Sequence, residues 1–348
     1  MNVLQNLVLS TTILLSSTSL FDTNHIKRFW HKPVYDYVNP EISIVFAGDT
    51  MMDWSIKDTV KTKGPDYPFR YVQEEIEASD YAVVNLETAV TDHTGVFTKE
   101  YNFKSDPIAL QGLKNAGFDL ISLANNHTMD YETKGLLDTL NHIHTYEMSY
   151  IGAGRNAKEA YSSKEVVIKG KKLRFLAFSR VLPSTSWVAG ENSPGIANGY
   201  NLGLIKDIVS RESKLCDYLM VYMHWGKERS KHPEPYQVNY AQTMIDAGAD
   251  AIVGSHPHVL QGFQYYKGKP IAYSLGNFLF PDYVKGDSAE TGLLKINIVN
   301  GKIGMQFKPY YIKNDTVIKL DSKEEKRILA KLEDLSYQLK LTGYDFIY

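Results

Sequence analysis

Three observations predict an α/β fold with mixed sheet content. Short apolar runs recur along the chain with amphipathic stretches between them, the rhythm of strands alternating with helices packed on a sheet. Two further segments read as hairpins about glycine-containing turns, which adds antiparallel pairing. A 43% hydrophobic content in 348 residues suffices for the core of one large domain or two ordinary ones.

The elements follow in chain order. NLVLSTTILLSSTSL is apolar and Ser/Thr-rich, the length of a signal-peptide h-region and short for a membrane span, so residues 1–20 read as a leader that exports or anchors the chain. That puts the protein outside the cell, or on the extracellular face of the membrane. No Lys or Arg precedes the run, whereas Lys27, Arg28 and Lys32 follow it in a polar, aromatic linker (21–40) ending in Asn39-Pro40. Buried strands are expected at ISIVFAG (42–48), YAVVN (81–85), DLISLAN (119–125), YLMVYM (218–223), AIVG (251–254) and IAYSL (271–275). GLLDTLNHIHTYE places Leu136, Leu137, Leu140 and Ile143 on one helix face, and QVNYAQTMIDAGAD should stop as a helix near Gly248. VVIKGKKLRFLAF turns at Gly170-Lys171, and LLKINIVNGKIGMQFKPYYI at Asn300-Gly301. SKEEKRILAKLEDLSYQL reads as a surface helix with Ser322 and Glu325 in capping-box spacing. The domain is taken as 41–312, with a C-terminal extension over 313–348.

Net charge −2 and a pI near 6.6 leave no chain-wide basic field, so nucleic acid is not an expected partner and any anionic substrate must be held locally. Cys216 is the single cysteine, which excludes an intramolecular disulfide framework. It lies in LCDYLMVYM, the setting of a buried, inert thiol.

Five apolar runs end in polar clusters: GDTMMD (48–53), NLE (85–87), NNHTMD (125–130), HWG (224–226) and SHPHV (255–259). Ligand crevices in α/β sheets lie beyond the carboxyl ends of the strands, so these clusters can converge although far apart in sequence. Convergence assembles imidazole, carboxylate and amide oxygen without thiolate, the donor set of a hard or borderline divalent metal. Alone, Asp49 also suits a helix cap, Asn85 and Asn126 suit turn backbone, and His224 suits a packed, hydrogen-bonded histidine. His256 and His258 are the more specific pair, because residues i and i+2 of an extended segment face the same side and Pro257 stiffens the chain between them.

Taken together, FAGDTMM, ASDYAVVNLETAVT, NFKSDP, LANNHTMDY, YIGAGRNAKEA, HWGKE, AGADAIVGSHPHVLQ and IAYSLGNFLF resemble, in that order, the calcineurin-type metallophosphoesterases, and more closely their CapA branch, the bacterial poly-γ-glutamate capsule biosynthesis proteins. The resemblance implies a four-layer α/β/β/α sandwich with a centre for divalent metal (Mn, Zn, Fe or Mg) at the strand ends. It also implies a membrane-associated role beside poly-γ-glutamate synthase subunits, with an anionic polymer or a phosphoester as substrate. Carried over by motif, Asn126, His224 and His256 hold the fuller metal site, while Asp49 and His258 hold one poorer in ligands. Glu87 is the candidate bridge, with Asn85 the alternative. His127 matches the histidine that contacts a scissile phosphate or protonates its leaving group, with Asp130 orienting its ring. The family's first motif usually carries a histidine two residues after its Asp, where this chain has Met51.

Two classes of function follow: a metal-dependent hydrolase or transferase, and a non-catalytic, metal-stabilised subunit that binds the polymer. A general phosphodiesterase or nucleotidase is a third. On position, Lys104, Lys227 and Arg229 are the candidate cations for an anionic substrate, and solvated surface charge is the alternative for each.

Overall fold

The computed structural model describes residues 41–347, so the expectations for the leader and linker lie outside the described residues. Among those described, no helix is long and apolar enough to cross a membrane.

The strands of the two large sheets are β1 (Ile42–Thr50), β2 (Tyr81–Leu86), β3 (Leu120–Ser122), β4 (Ser149–Ile151), β5 (Lys164–Ile168), β6 (Lys171–Ser179), β7 (Tyr218–His224), β8 (Ala251–Ser255), β9 (Phe263–Tyr266), β10 (Lys269–Ala272), β11 (Asn277–Leu279), β12 (Glu290–Val299), β13 (Lys302–Lys313), β14 (Thr316–Ile318), β15 (Lys340–Thr342) and β16 (Asp345–Ile347). One sheet runs β15-β16-β13-β12-β1-β2-β3-β4, with β11 also on β1 and β14 on β13; the other runs β9-β10-β8-β7-β6-β5. Both mix parallel and antiparallel pairs: β1 is parallel to β2 and antiparallel to β12, and β7 lies parallel between β6 and β8.

The side-chain period of two sorts the apolar residues into three layers. Ile44 and Phe46 of β1, with Val83 of β2, meet Phe175 of β6, Tyr222 of β7 and Val253 of β8 between the sheets. The alternate residues Val45, Ala47 and Val84 face helices α1 (Ser55–Lys63), α2 (Ile108–Asn115) and α3 (Glu132–Thr145) through Ile56, Leu110 and Leu140. On the far side Phe178, Val221 and Ile252 pack on α4 (Leu202–Glu212) and α5 (Pro235–Asp246) through Ile208, Val209, Ala241 and Met244. Two sheets between two helical layers make the four-layer α/β/β/α sandwich.

Several local readings shift. DLISLAN is strand only over Leu120–Ser122, and the strand that enters IAYSL starts earlier and ends earlier, at Lys269–Ala272. The first hairpin turns at Lys169-Gly170, not Gly170-Lys171: both residues have positive φ (48° and 80°), as the twist of a two-residue hairpin demands. The second turns at Asn300-Gly301 in the same way. The last helix, α6 (Ser322–Leu335), is capped by Asp321, whose carboxylate accepts from the Lys323 and Glu324 amides, and not by Ser322. It is a surface helix on one side only, since Ile328, Leu329 and Leu332 enter the layer between the sheets, and β15 and β16 extend the first sheet.

Gly48 fixes the end of β1. A Cβ there would lie 2.1 Å from the Gly276 carbonyl oxygen, and the same oxygen accepts the Asp49 amide at 2.9 Å. Gly48→Ala should therefore force β1 and the Gly276 turn apart and cost about 1–3 kcal/mol, as overpacking does. Thermal unfolding of the variant beside wild type checks this, with a lowered midpoint expected.

Candidate metal centre

Five strands from both sheets end at one crevice, and the fully buried Asp49 stands where they meet. It lies opposite Asn85 and Asn277 in the parallel register of β1 with β2 and β11. Its Oδ1 accepts from the Asn85 amide (2.7 Å) and its Oδ2 from the His256 backbone N–H (2.9 Å). His224 Nδ1 and His258 Nδ1 lie 3.7 and 3.6 Å from the two oxygens. Asn85 is spent in this network, since its Oδ1 also accepts from Asn125 at 3.1 Å. Glu87 is not: it is fully buried, and neither carboxylate oxygen has a hydrogen-bond partner. Burial and the neighbouring Asp49 push its carboxyl well above the usual range.

Around Glu87 stand the imidazoles. His224 Nε2 is 3.5 Å from Glu87 Oε1 and 2.6 Å from Asn126 Oδ1. The His224 and His256 rings lie 4.8 Å apart, and those of His256 and His258 5.8 Å. Burial lowers His224 to about 4 and holds His256 well below the ordinary value, so both present neutral nitrogens with lone pairs. His256 Nδ1 is buried without a partner. Burial opposes the charge on His258, yet Glu87 and Asp49 hold its pKa above the ordinary value.

SHPHV departs from the expected extended segment. His256 (φ 97°) and His258 (φ 57°) both occupy the left-handed region beyond the end of β8, so it is the bend, not strand alternation, that turns both rings inward. Non-glycine residues held there cost about 1–3 kcal/mol each, a strain typical of functional sites. Donor atoms of Glu87, His224 and His256, and separately of Asp49, Glu87 and His258, lie within 4.8 Å of one another. Orphaned buried oxygens facing neutral imidazoles fit a divalent cation.

His127 forms a second cluster. Its Nδ1 is 2.7 Å from Asp130 Oδ2, its Nε2 4.0 Å from Glu87 Oε1, and its ring stacks on Phe103 at 4.1 Å. Lys99, not anticipated from sequence, ion-pairs with Asp130, donates to the Asn126 carbonyl (2.6 Å) and sits 3.1 Å from His127 Nδ1. Burial raises Asp130 to about 7 against the pull of Lys99, while burial and Lys99 together hold His127 well below its ordinary value. In TKEY nothing marks Lys99, because the contacts join residues 27 to 31 apart through a loop.

A cavity of about 680 Å3 opens over these groups, walled by His127, His258, Asn277, Trp54, Tyr283 and Arg229 among others. Of the three cations expected to meet substrate, only Arg229 lines it. Lys104 is turned away: its ammonium donates to the His93 carbonyl (3.0 Å) and lies over the Tyr131 ring. Lys227 is exposed outside the cavity wall, whereas Lys285 lines it. Met51 is fully buried among Phe103, Phe280 and Val284, with its sulfur accepting from the Asp53 amide, so it packs as an apolar side chain. Cys216 is half-buried, its thiol pushed up to about 11 by burial. Asn277, whose Oδ1 is 2.9 Å from His258 Nδ1, was within reach of sequence reasoning through SLGNF.

The family model described as bacterial capsule synthesis protein PGA_cap matches residues 43–282. The capsule biosynthesis protein CapA of Bacillus anthracis is 34% identical over 281 residues, covering 79% of this chain and 67% of that protein. The PGA biosynthesis protein CapA of Bacillus subtilis (strain 168) is 33% identical over 307 residues, covering 86% of this chain and 80% of its own. Among solved structures, a phosphatase from Mycoplasma pneumoniae aligns at TM-score 0.49 and 14% identity, over 83% of this chain and 99% of that one.

His256→Ala should remove most bound divalent metal, and His258→Ala less, because His256 shares its donor group with both His224 and Glu87. Elemental analysis of the purified variants at matched pH checks this ordering; equal, full occupancy in both contradicts it.

Proposed function

The chain belongs to the bacterial capsule synthesis protein family, and from that premise we propose that it serves the making or export of a poly-γ-glutamate polymer through metal-dependent hydrolysis or group transfer in this crevice. One observation carries the reading: Glu87, a buried carboxylate with two unpartnered oxygens, faces a ring of imidazoles. A charge so placed is costly unless a cation neutralises it. Asp49, Glu87, Asn126, His224, His256 and His258 would hold the ion, Mn, Zn, Fe or Mg, in one fuller and one poorer site. When bound, it supplies Lewis acidity toward a phosphoryl or acyl oxygen.

The remaining residues divide the other tasks. Asp130 accepts a hydrogen bond from His127 Nδ1–H and Lys99 holds Asp130 in place, which leaves Nε2 on the Glu87 side to accept or return a proton. Phe103 fixes the ring plane by stacking. Arg229 and Lys285 on the cavity wall draw in an anionic chain or phosphoester. On this reading the chain acts from the extracellular face of the membrane, beside membrane-bound synthase subunits, which the apolar leader suits.

A second reading, a non-catalytic subunit that binds the polymer, is favoured by Met51, since its apolar packing leaves the first strand end with Asp49 as its donor. His127 separates the two. His127→Ala should leave metal content and melting near wild type while lowering turnover of a generic phosphodiester or of poly-γ-glutamate by about a hundredfold or more. If wild type turns over neither substrate and His127→Ala still supports polymer production in cells, the non-catalytic reading stands instead.

A further inference from the structure

HWGKE contributes more to the crevice than His224. A carboxylate oxygen of Glu228 and one nitrogen each of His256 and His258 lie within 4.8 Å of one another. This third donor group shares His256 with the group containing His224 and shares His258 with the group containing Asp49, while Glu87 joins those two. The three groups thus form a closed ring of donors, and Glu228 is its corner on the cavity side.

Two independent features point the same way. First, the Glu228 loop is fastened to the histidine segment itself. Gly226 (φ 97°) lets the chain turn sharply after β7 and donates to the Tyr236 hydroxyl at 2.7 Å. A turn closed by Ser230 N–H to the Lys227 carbonyl (3.1 Å) carries Glu228 and Arg229, and the Arg229 N–H donates to the carbonyl of Pro257, between the two histidines, at 2.8 Å. Second, His256 Nδ1 is buried with no partner, and Glu228 makes no hydrogen bond or ion pair among the described residues. An exposed glutamate beside Arg229 and two residues from Ser230 has local partners available, yet engages none.

From this geometry we infer that Glu228 is a direct ligand of a divalent cation held with His256 and His258, supplying on the cavity side a donor that the first strand end lacks. The inference rests on the metal reading of the crevice. Donors bonded at about 2.0–2.2 Å to one tetrahedral ion stand roughly 3.3–3.6 Å apart, so the group closes on an ion by a movement of about an ångström. The Glu228 side chain, exposed and unpaired, is the member free to make it. Carboxylate, imidazole and open solvent-side positions suit Mn2+, Zn2+ or Co2+ better than a soft ion.

The test uses the purified chain, stripped by chelator and titrated with Co2+ while its visible absorption is followed. In Glu228→Gln, affinity for one class of bound Co2+ should fall by about tenfold or more, at least the loss that removing a mere outer-shell partner causes, and the band position or intensity of the loaded protein should change. Lys227→Gln, which alters the charge of the same turn, should leave both unchanged. Melting of the metal-free Glu228→Gln protein should match wild type, because the side chain holds nothing else. An isotherm and spectrum superimposable on wild type overturn the assignment. Weaker binding with an unaltered spectrum also overturns it, since the carboxylate would then act through charge alone. If wild type itself binds no Co2+, the metal reading of the crevice fails and takes this inference with it.

Discussion

Asp49 ties the two sheets together at the crevice. Its two oxygens receive the Asn85 amide from the first sheet and the His256 backbone N–H from beyond β8 of the second. A fully buried carboxylate left unpaired would be costly, so its hydrogen bonds are effectively obligatory and the strand ends must come to it. The nearby Tyr222 hydroxyl, donating to the Ala47 carbonyl at 2.8 Å, adds a second polar link across an otherwise apolar layer.

Backbone constraint supplies what hydrogen bonding cannot. Gly48 permits the close approach to Gly276 that seats Asp49, and the left-handed backbone at His256 and His258 turns two successive imidazole positions toward the same centre. Such strain persists only where surrounding contacts over-determine it. Here they do: Asp49 holds the His256 amide, Arg229 holds the Pro257 carbonyl, and Asn277 holds the His258 ring. Rigidity of this kind is what a donor set needs if it is to be in place before its ion arrives.

Ion pairs set the outer part of the cavity wall. Asp287 pairs with Lys231 at 2.5 Å and also with Lys331 of α6, which in turn reaches Glu290 at 2.6 Å. These links join the loop after β11 to the Glu228 loop on one side and to the C-terminal helix on the other. The Lys231–Asp287 pair is exposed and adds little stability by itself, whereas Glu290 is buried, so together these links fix where the walls stand. Trp54 and Tyr283, with ring centres 5.3 Å apart, complete an aromatic rim over a polar floor.

Local pattern was enough for the elements and for the zone of the site. The continuous apolar runs ISIVFAG and YLMVYM read as strands buried on both faces, and polar residues cannot follow such runs into a core without a purpose. Asp49, Glu87, Asn126, His127, His224, His256 and His258 stood out as polar residues closing such runs, and separate roles for them came only with the motif resemblance. What tertiary structure alone decided are the contacts that no spacing encodes. Lys99 reaches Asp130 through a loop, Lys104 turns to the His93 carbonyl and not to the cavity, and Glu228 meets two histidines nearly thirty residues on because a turn is fastened to Pro257. A period describes how a chain presents its side chains to a neighbour; which neighbour it meets is settled by packing two sheets together, and only then do free oxygens, spent amides and buried cations become distinguishable.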